Sequence, residues 1–115
     1  MTSPKLGMKQ GANGVLVGDR LQPAMILAYI IVADVFTRYG YDCIITSLND
    51  GKHTTNSLHY SGLAMDIRTR MIPEKDLRVV VGEIKQRLSP EYQVIRETDH
   101  LHIEFDRAAY LLSIQ

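Results

Sequence analysis

Two stretches of the chain have the hydrophobic spacing of helices. Residues 22–39 are apolar on nearly every side, with Pro23 in the first turn and Gly40 directly after the end, which predicts a central buried helix. Residues 73–88 have acidic side chains near their start and basic ones near their end, which favours a second helix. One face of this second helix would carry the apolar residues Leu77, Val80, Val81, Ile84 and Leu88.

Four shorter stretches have the pattern of strands. Residues 41–47 are rich in β-branched side chains, and residues 63–69 alternate between apolar and small or polar side chains. Residues 91–97 and 100–105 predict a hairpin with a tight turn at Thr98-Asp99. In the second strand of this hairpin, histidines and a glutamate alternate with apolar residues, so burial of one face turns the polar set to the other.

The remaining segments are predicted to be irregular or short. Residues 1–20 contain four glycines and no clear period, so we expect mostly coil, with a possible short strand at Val15–Val17. Residues 48–57 are almost entirely polar and predict a loop, and residues 106–113 predict a short closing helix. There is no repeat, low-complexity segment or linker, so residues 1–115 are expected to form a single domain.

The amino-acid composition limits which binding partners and which cellular compartment are expected for the chain. The chain has 13 basic and 13 acidic residues, and this zero net charge argues against nucleic acid as the main partner. The single cysteine, Cys43, lies beside two isoleucines and is expected to be a buried thiol. The start lacks a signal-peptide pattern and the longest apolar run is too short for a bilayer, so we expect cytoplasmic synthesis and no membrane span. The oligomeric state is left open.

Imidazoles and carboxylates occur in two separate polar stretches. His59 and Asp66 lie seven positions apart, and His102 lies in the final predicted strand beside His100. A catalytic zinc ion binds three such protein ligands and keeps a fourth position open for water. We therefore interpret His59, Asp66 and His102 as zinc ligands, although each alone would be read as an ordinary solvated or strand-face residue.

A zinc hydrolase also needs a group that accepts and returns a proton. Asp99 lies in the predicted turn three residues before His102, from where it can reach over a metal without binding it. The alternative interpretation is an ordinary turn residue, which is a frequent use of aspartate, and Glu97 is the rival base. Glu104 shares the His102 face and is placed to hold a ligand imidazole in one tautomer.

The loop before His59 is the predicted substrate-contacting segment. Lys52 and His53 could donate to a developing oxyanion, with a solvated loop as the alternative, and we assign the catalytic role to His53. Asp50 and Ser57 are assigned to substrate binding. Ser57 could equally cap the loop backbone.

The spacing of these residues resembles that of a known enzyme family. The chain contains the pattern Ser57-x-His59-x-x-Gly62-x-Ala64-x-Asp66, followed by Asp99-x-x-His102. This pattern is similar to that of the zinc peptidases that cut peptidoglycan stem peptides. That family includes D-alanyl-D-alanine dipeptidases and carboxypeptidases and the L-alanyl-D-glutamate endolysins of phages, and its metal-binding fold is shared with the hedgehog signalling domain. The resemblance covers about residues 22–106.

The resemblance implies a fold, a cofactor and a reaction. The fold would be a small α+β domain with helices on one side of an antiparallel sheet and a zinc groove on the other. By this likeness His59, Asp66 and His102 fall on the family's zinc ligands and Asp99 on its general base. Many members carry an arginine shortly after the position of Ser47, which this chain lacks before Ser57, so His53 or Lys52 would have to substitute.

The expected function is therefore zinc-dependent hydrolysis of a peptide bond in a bacterial peptidoglycan stem peptide, of carboxypeptidase or endolysin type. The absence of a signal-peptide pattern fits an enzyme of bacteriophage lysis that acts on the cell wall after release. The alternative is a non-catalytic, zinc-containing cell-wall-binding or phage structural module, which the missing arginine favours. The sequence does not decide which bond is cleaved.

Overall fold

The structure is a computed structural model that describes residues 3–9, 21–47 and 63–114. Within these ranges the chain forms an α+β fold. Its elements, in chain order, are β1 (Leu6–Met8), α1 (Pro23–Arg38), β2 (Cys43–Ser47), β3 (Ala64–Arg68), α2 (Glu74–Arg87), β4 (Tyr92–Arg96), β5 (His100–Phe105) and α3 (Arg107–Ser113). The predicted helices and strands from α1 to α3 are all present. The possible strand at Val15–Val17 lies outside the described residues.

The described strands form one five-stranded mixed sheet in the order β1-β2-β3-β5-β4. The last four strands pair in antiparallel fashion, but β1 runs parallel to β2. The expectation of an antiparallel sheet is therefore wrong at this edge. Residues Leu6–Met8, which lie in the segment expected to be mostly coil, form a strand. The three-residue β1 has too few alternating residues to be recognised, and it depends on long-range bonds to β2, such as Lys9 N–H to the Ile45 carbonyl at 2.8 Å.

Helices α1 and α2 pack on one face of the sheet. Alternate residues of the central strands point toward them, and the largest buried side chains include Phe36, Met25, Met65, Ile67, Ile84, Leu101 and Ile103. Burial of this apolar area is the main stabilising term of the fold. The remaining residues of these strands, which alternate with the buried ones, point to the other face of the sheet, where the polar residues lie.

Helix α1 is not the central buried helix that its composition predicts. Ile26, Leu27 and Ile30 are 47%, 61% and 59% exposed, whereas Met25, Ala28, Val32 and Phe36 are fully buried. The sheet covers only one side of the helix, so an apolar residue on the outer side remains in contact with solvent. Gly40 ends the helical segment with φ +85°, a conformation that glycine adopts without a steric penalty, as its position predicts.

The outer surface of α1 joins α2 through ion pairs. Arg38 lies 3.2 Å from the carboxylate of Asp34, four residues earlier on the same helix, and Arg87 of α2 approaches the same carboxylate to 2.6 Å. Exposed pairs of this kind contribute little stability each. Across the described ranges, none of the helices combines the length and apolar character needed to cross a bilayer.

Candidate functional site

On the polar face of the sheet, the predicted site residues of β3 and β5 lie directly opposite one another. In the ladder between β3 and β5, Asp66 is directly opposite His102, and Arg68 is directly opposite His100. Opposed residues of an antiparallel pair project to the same side, with Cβ atoms about 5 Å apart. The sequence thus places a carboxylate and an imidazole side by side although 36 positions separate them.

His102 lies between two carboxylates. Its Nδ1 is 2.9 Å from Asp66 Oδ1 and its Nε2 is 3.0 Å from Glu104 Oε1. The side chains of Asp66, His102 and Glu104 are 14%, 19% and 21% exposed, so water screens these contacts only in part. The hydrogen bond to Asp66 raises the pKa of His102, with a further contribution from Glu104, against the opposing effect of burial. The two contacts fix the orientation of the imidazole ring.

Asp66 and His102 fit two positions of a zinc site. Zinc binds aspartate oxygen and histidine nitrogen at about 2.0–2.2 Å, so two ligands of a tetrahedral ion lie about 3.3 Å apart. The observed separation of Asp66 Oδ1 and His102 Nδ1, 2.9 Å, needs to widen by only a few tenths of an ångström. Glu104 holds the other ring nitrogen, which is the orienting contact that metal-binding histidines commonly make.

The third predicted ligand, His59, lies outside the described residues. Among the residues of 3–9, 21–47 and 63–114, no three histidine, cysteine, aspartate or glutamate side chains form a complete metal-binding group. The zinc site as a set of three ligands therefore stays a prediction. Asp50, His53 and Ser57 also lie in the segment that the structure does not describe, as does Lys52, so their roles stay predictions too.

Asp99 joins the cluster through His100. Its Oδ1 is 2.7 Å from His100 Nδ1, and His100 Nε2 is 3.8 Å from Asp66 Oδ2. Asp99 itself is 69% exposed, as expected for a residue of the turn. The bond to His100 is the main cause that lowers the pKa of Asp99 below its usual range, which favours the ionised form of its carboxylate. In the part of the chain that is described, Asp99 contacts the cluster through its side chain, whereas Glu97 contacts it through its backbone N–H, which donates to the His100 carbonyl at 2.9 Å.

His100 has no predicted role of its own. The sequence does place His100 two residues before His102, so both imidazoles lie on the same face of the strand. In the structure its ring contacts Asp99 at 2.7 Å and lies 3.8 Å from Asp66. The predicted base is therefore positioned beside the predicted metal site.

A polar cleft of about 310 Å³ opens beside this cluster. It is lined by Lys9, Thr46, Arg68, Arg70, Asp99 and His100. Arg68 was visible in the sequence as a member of the Asp66 face, but its role was not recognised. Nothing in the sequence predicts a role for Lys9, because its position in the cleft depends on the pairing of β1 with β2. The cleft brings three cationic side chains close to the predicted catalytic residues.

The comparisons with known proteins leave the family assignment as a prediction. We searched protein-family models, curated proteins and solved structures, and none of the three searches found a match to the chain.

Proposed function

We propose that the protein is a zinc-dependent peptidase that hydrolyses a peptide bond in bacterial peptidoglycan stem peptides, with a fold of the hedgehog/DD-peptidase type. The observation that carries the proposal is the contact between Asp66 and His102, directly opposed on β3 and β5, with Glu104 on the second nitrogen of the imidazole. This is the chemistry and arrangement expected of two zinc ligands and one orienting carboxylate. The resemblance of the His59-to-Asp66 motif supplies the family and the substrate class.

His59, Asp66 and His102 would hold the zinc ion. When bound there, zinc would act as a Lewis acid toward the peptide carbonyl and would lower the pKa of a water molecule. Asp99 would accept a proton from the attacking water and return it to the leaving amine, which converts a poor leaving group into a neutral one. The contact between His100 Nδ1 and Asp99 Oδ1 supports the position of this carboxylate beside the proposed site.

The reaction type and the setting follow from the same proposal. Carboxypeptidase action and endolysin action both use this set of groups, and they differ in the bond that is presented to it. A phage lysis enzyme would reach the cell wall after its release from the cell interior.

The test is digestion of purified peptidoglycan followed by mass analysis of the fragments. The zinc-loaded protein should release new amine ends, and a chelator should abolish the release. Asp99→Asn should lower kcat by about 10²-fold to 10⁴-fold, since it removes the proton acceptor with little change in shape. Glu97→Gln, an exposed change in the same turn, should leave turnover near the wild-type rate.

Each other outcome has a definite reading. Loss of activity in Glu97→Gln but not in Asp99→Asn would transfer the base to Glu97. Fragments that bind to the zinc-loaded protein without any new amine end would select the alternative, a non-catalytic cell-wall-binding or phage structural module. Unchanged turnover in the presence of chelator would remove the zinc mechanism.

A further inference from the structure

The cleft beside the cluster concentrates positive charge. Lys9 directly follows β1, Arg68 ends β3 and Arg70 lies two residues later, and all three line the same space of about 310 Å³. The chain as a whole has equal numbers of basic and acidic residues, 13 of each. The three cations are therefore a local feature of this cleft and do not reflect a generally basic protein.

The fold fixes the distance from this cleft to the Asp66–His102 pair. Arg68 lies two residues after Asp66 on the same strand face, so their backbones are separated by about 7 Å along β3. Arg68 is also directly opposite His100 in the ladder. An extended peptide advances about 3.4 Å per residue, so a group held in the cleft would lie within one or two residues of a carbonyl held at the pair.

The cationic side chains are available to a ligand. In the described ranges, no carboxylate lies within 4.0 Å of the charged groups of Lys9, Arg68 or Arg70. The one carboxylate among the described residues that line the cleft, Asp99, contacts His100 at 2.7 Å, and the charge of Arg70 makes a smaller contribution to lowering the pKa of Asp99. Guanidinium groups present paired N–H donors that match the two oxygens of a carboxylate.

We propose that this cleft, lined by Lys9, Arg68 and Arg70, binds a free carboxylate of the substrate peptide close to the scissile bond. The proposal rests on the proposed peptidase function and names its substrate more closely: a peptide whose cleaved bond lies within one or two residues of a terminal or branching carboxylate. We name a peptide carboxylate as the occupant because the proposed substrate is a peptide. The net positive charge of the cleft, with three cations and Asp99, would also attract phosphate, so phosphate is included as a probe in the binding test.

The kinetic test compares one stem-peptide fragment in two forms, with its carboxylate free and with the same group amidated. The wild-type protein should prefer the free acid by about 10-fold to 100-fold in kcat/KM, the range expected for charge-assisted bonds to one carboxylate. Arg70→Gln and Arg68→Gln should remove most of this preference through KM, with kcat little changed. Arg78→Gln, which removes the same charge from α2, should keep the preference.

A binding test separates this proposal from the peptidase function itself. The acid and the amide are titrated into the metal-free and the zinc-loaded protein, with inorganic phosphate as a third probe. Arg70 is exposed, so Arg70→Gln is expected to fold, which a thermal melt would verify. The wild type should bind the acid more tightly than the amide or phosphate, and Arg70→Gln should lose this difference whereas Arg78→Gln keeps it.

The outcomes distinguish the two proposals. Preferential binding of the acid without any turnover would keep the carboxylate site and remove the peptidase. Turnover with equal kcat/KM for acid and amide would keep the peptidase and overturn the carboxylate site. Equal binding of phosphate and the acid would overturn the assignment to a peptide carboxylate.

Discussion

The two faces of β3 and β5 differ in chemistry. On one face, Met65 and Ile67 of β3 meet Leu101 and Ile103 of β5, and all four are fully buried beneath the helices. On the other face, the alternate positions of the same strands carry Asp66, Arg68, His100, His102 and Glu104. A single alternation with period two thus gives the sheet one side that holds the domain together and one side that is available for chemistry.

This separation of the faces has a consequence for both. A polar side chain on the outer face can be changed without opening a cavity in the core. An apolar side chain on the inner face cannot, because its neighbours are close-packed and relax only in part. Variants of the inner face should therefore change the unfolding free energy, and variants of the outer face should change binding or activity.

The largest expected effect is a matched change of isoleucine to alanine on the two faces. Ile103, fully buried on β5, should lose about 2–5 kcal/mol of unfolding free energy when changed to alanine, from lost burial and the cavity left behind. Ile95, on β4 opposite His102, is 40% exposed, and its change to alanine should cost less than about 1 kcal/mol. Chemical denaturation of both variants measures the difference.

Similar losses for Ile103→Ala and Ile95→Ala would contradict the division between the faces. A large loss for Ile95→Ala alone would indicate that the outer face carries a packed layer of its own.

The sequence was sufficient for the inner face and for part of the outer face. The period of residues 63–69 and 100–105 assigns Met65, Ile67, Leu101 and Ile103 to the core, and the structure buries all of them. The same alternation put His102 and Glu104 on one face, and the structure places them there in contact with each other. These successes depend on local periodicity, which a single strand already displays.

The features that the sequence did not predict depend on long-range pairing. Strand β1 exists only through its bonds to β2, and the role of Lys9 in the cleft follows from that pairing. Likewise, the composition of α1 did not show that one of its sides would stay uncovered, since this depends on where the sheet ends. Local patterns assign residues to a face, but they do not say which strands become neighbours.

Glu104 makes the contact that orients the proposed zinc ligand His102. Glu104→Gln removes the charge that holds His102 Nε2 but keeps the shape of the side chain. Zinc affinity should fall by about 10-fold to 100-fold, since the imidazole becomes less basic and less firmly oriented. Competition with a chromogenic chelator at fixed pH measures the affinity, and unfolding free energy should change little, in keeping with the outer face.

The matched control for Glu104→Gln is Glu97→Gln, the same chemical change at an exposed residue just before β5. It removes one carboxylate charge near the site without removing the contact to His102, so it should not reproduce the loss. Unchanged zinc affinity in Glu104→Gln would show that this carboxylate does not orient a metal ligand.

The smallest expected effect uses Cys43 as a probe of the inner face. Burial raises the pKa of this thiol from 9.0 to about 12, so it should be inert to thiol reagents near neutral pH until the protein unfolds. A raised pKa for a thiol means that the native state resists ionisation and the unfolded state does not. The associated stability is fully present below about pH 9 and is lost as the pH rises from there toward about 12.

Between neutral pH and about pH 9.5 this difference amounts to about 1 kcal/mol of unfolding free energy. Cys43→Ala should remove that part of the pH dependence. The hydroxyl of Tyr29 donates to the Cys43 carbonyl at 2.9 Å, and burial raises the pKa of Tyr29 to about 12. Tyr29→Phe therefore shows how much Tyr29 contributes to any loss of stability at still higher pH. Rapid labelling of Cys43 in the native protein would show that water reaches the inner face, and the contrast between the two sides of the sheet would then be weaker than the buried core requires.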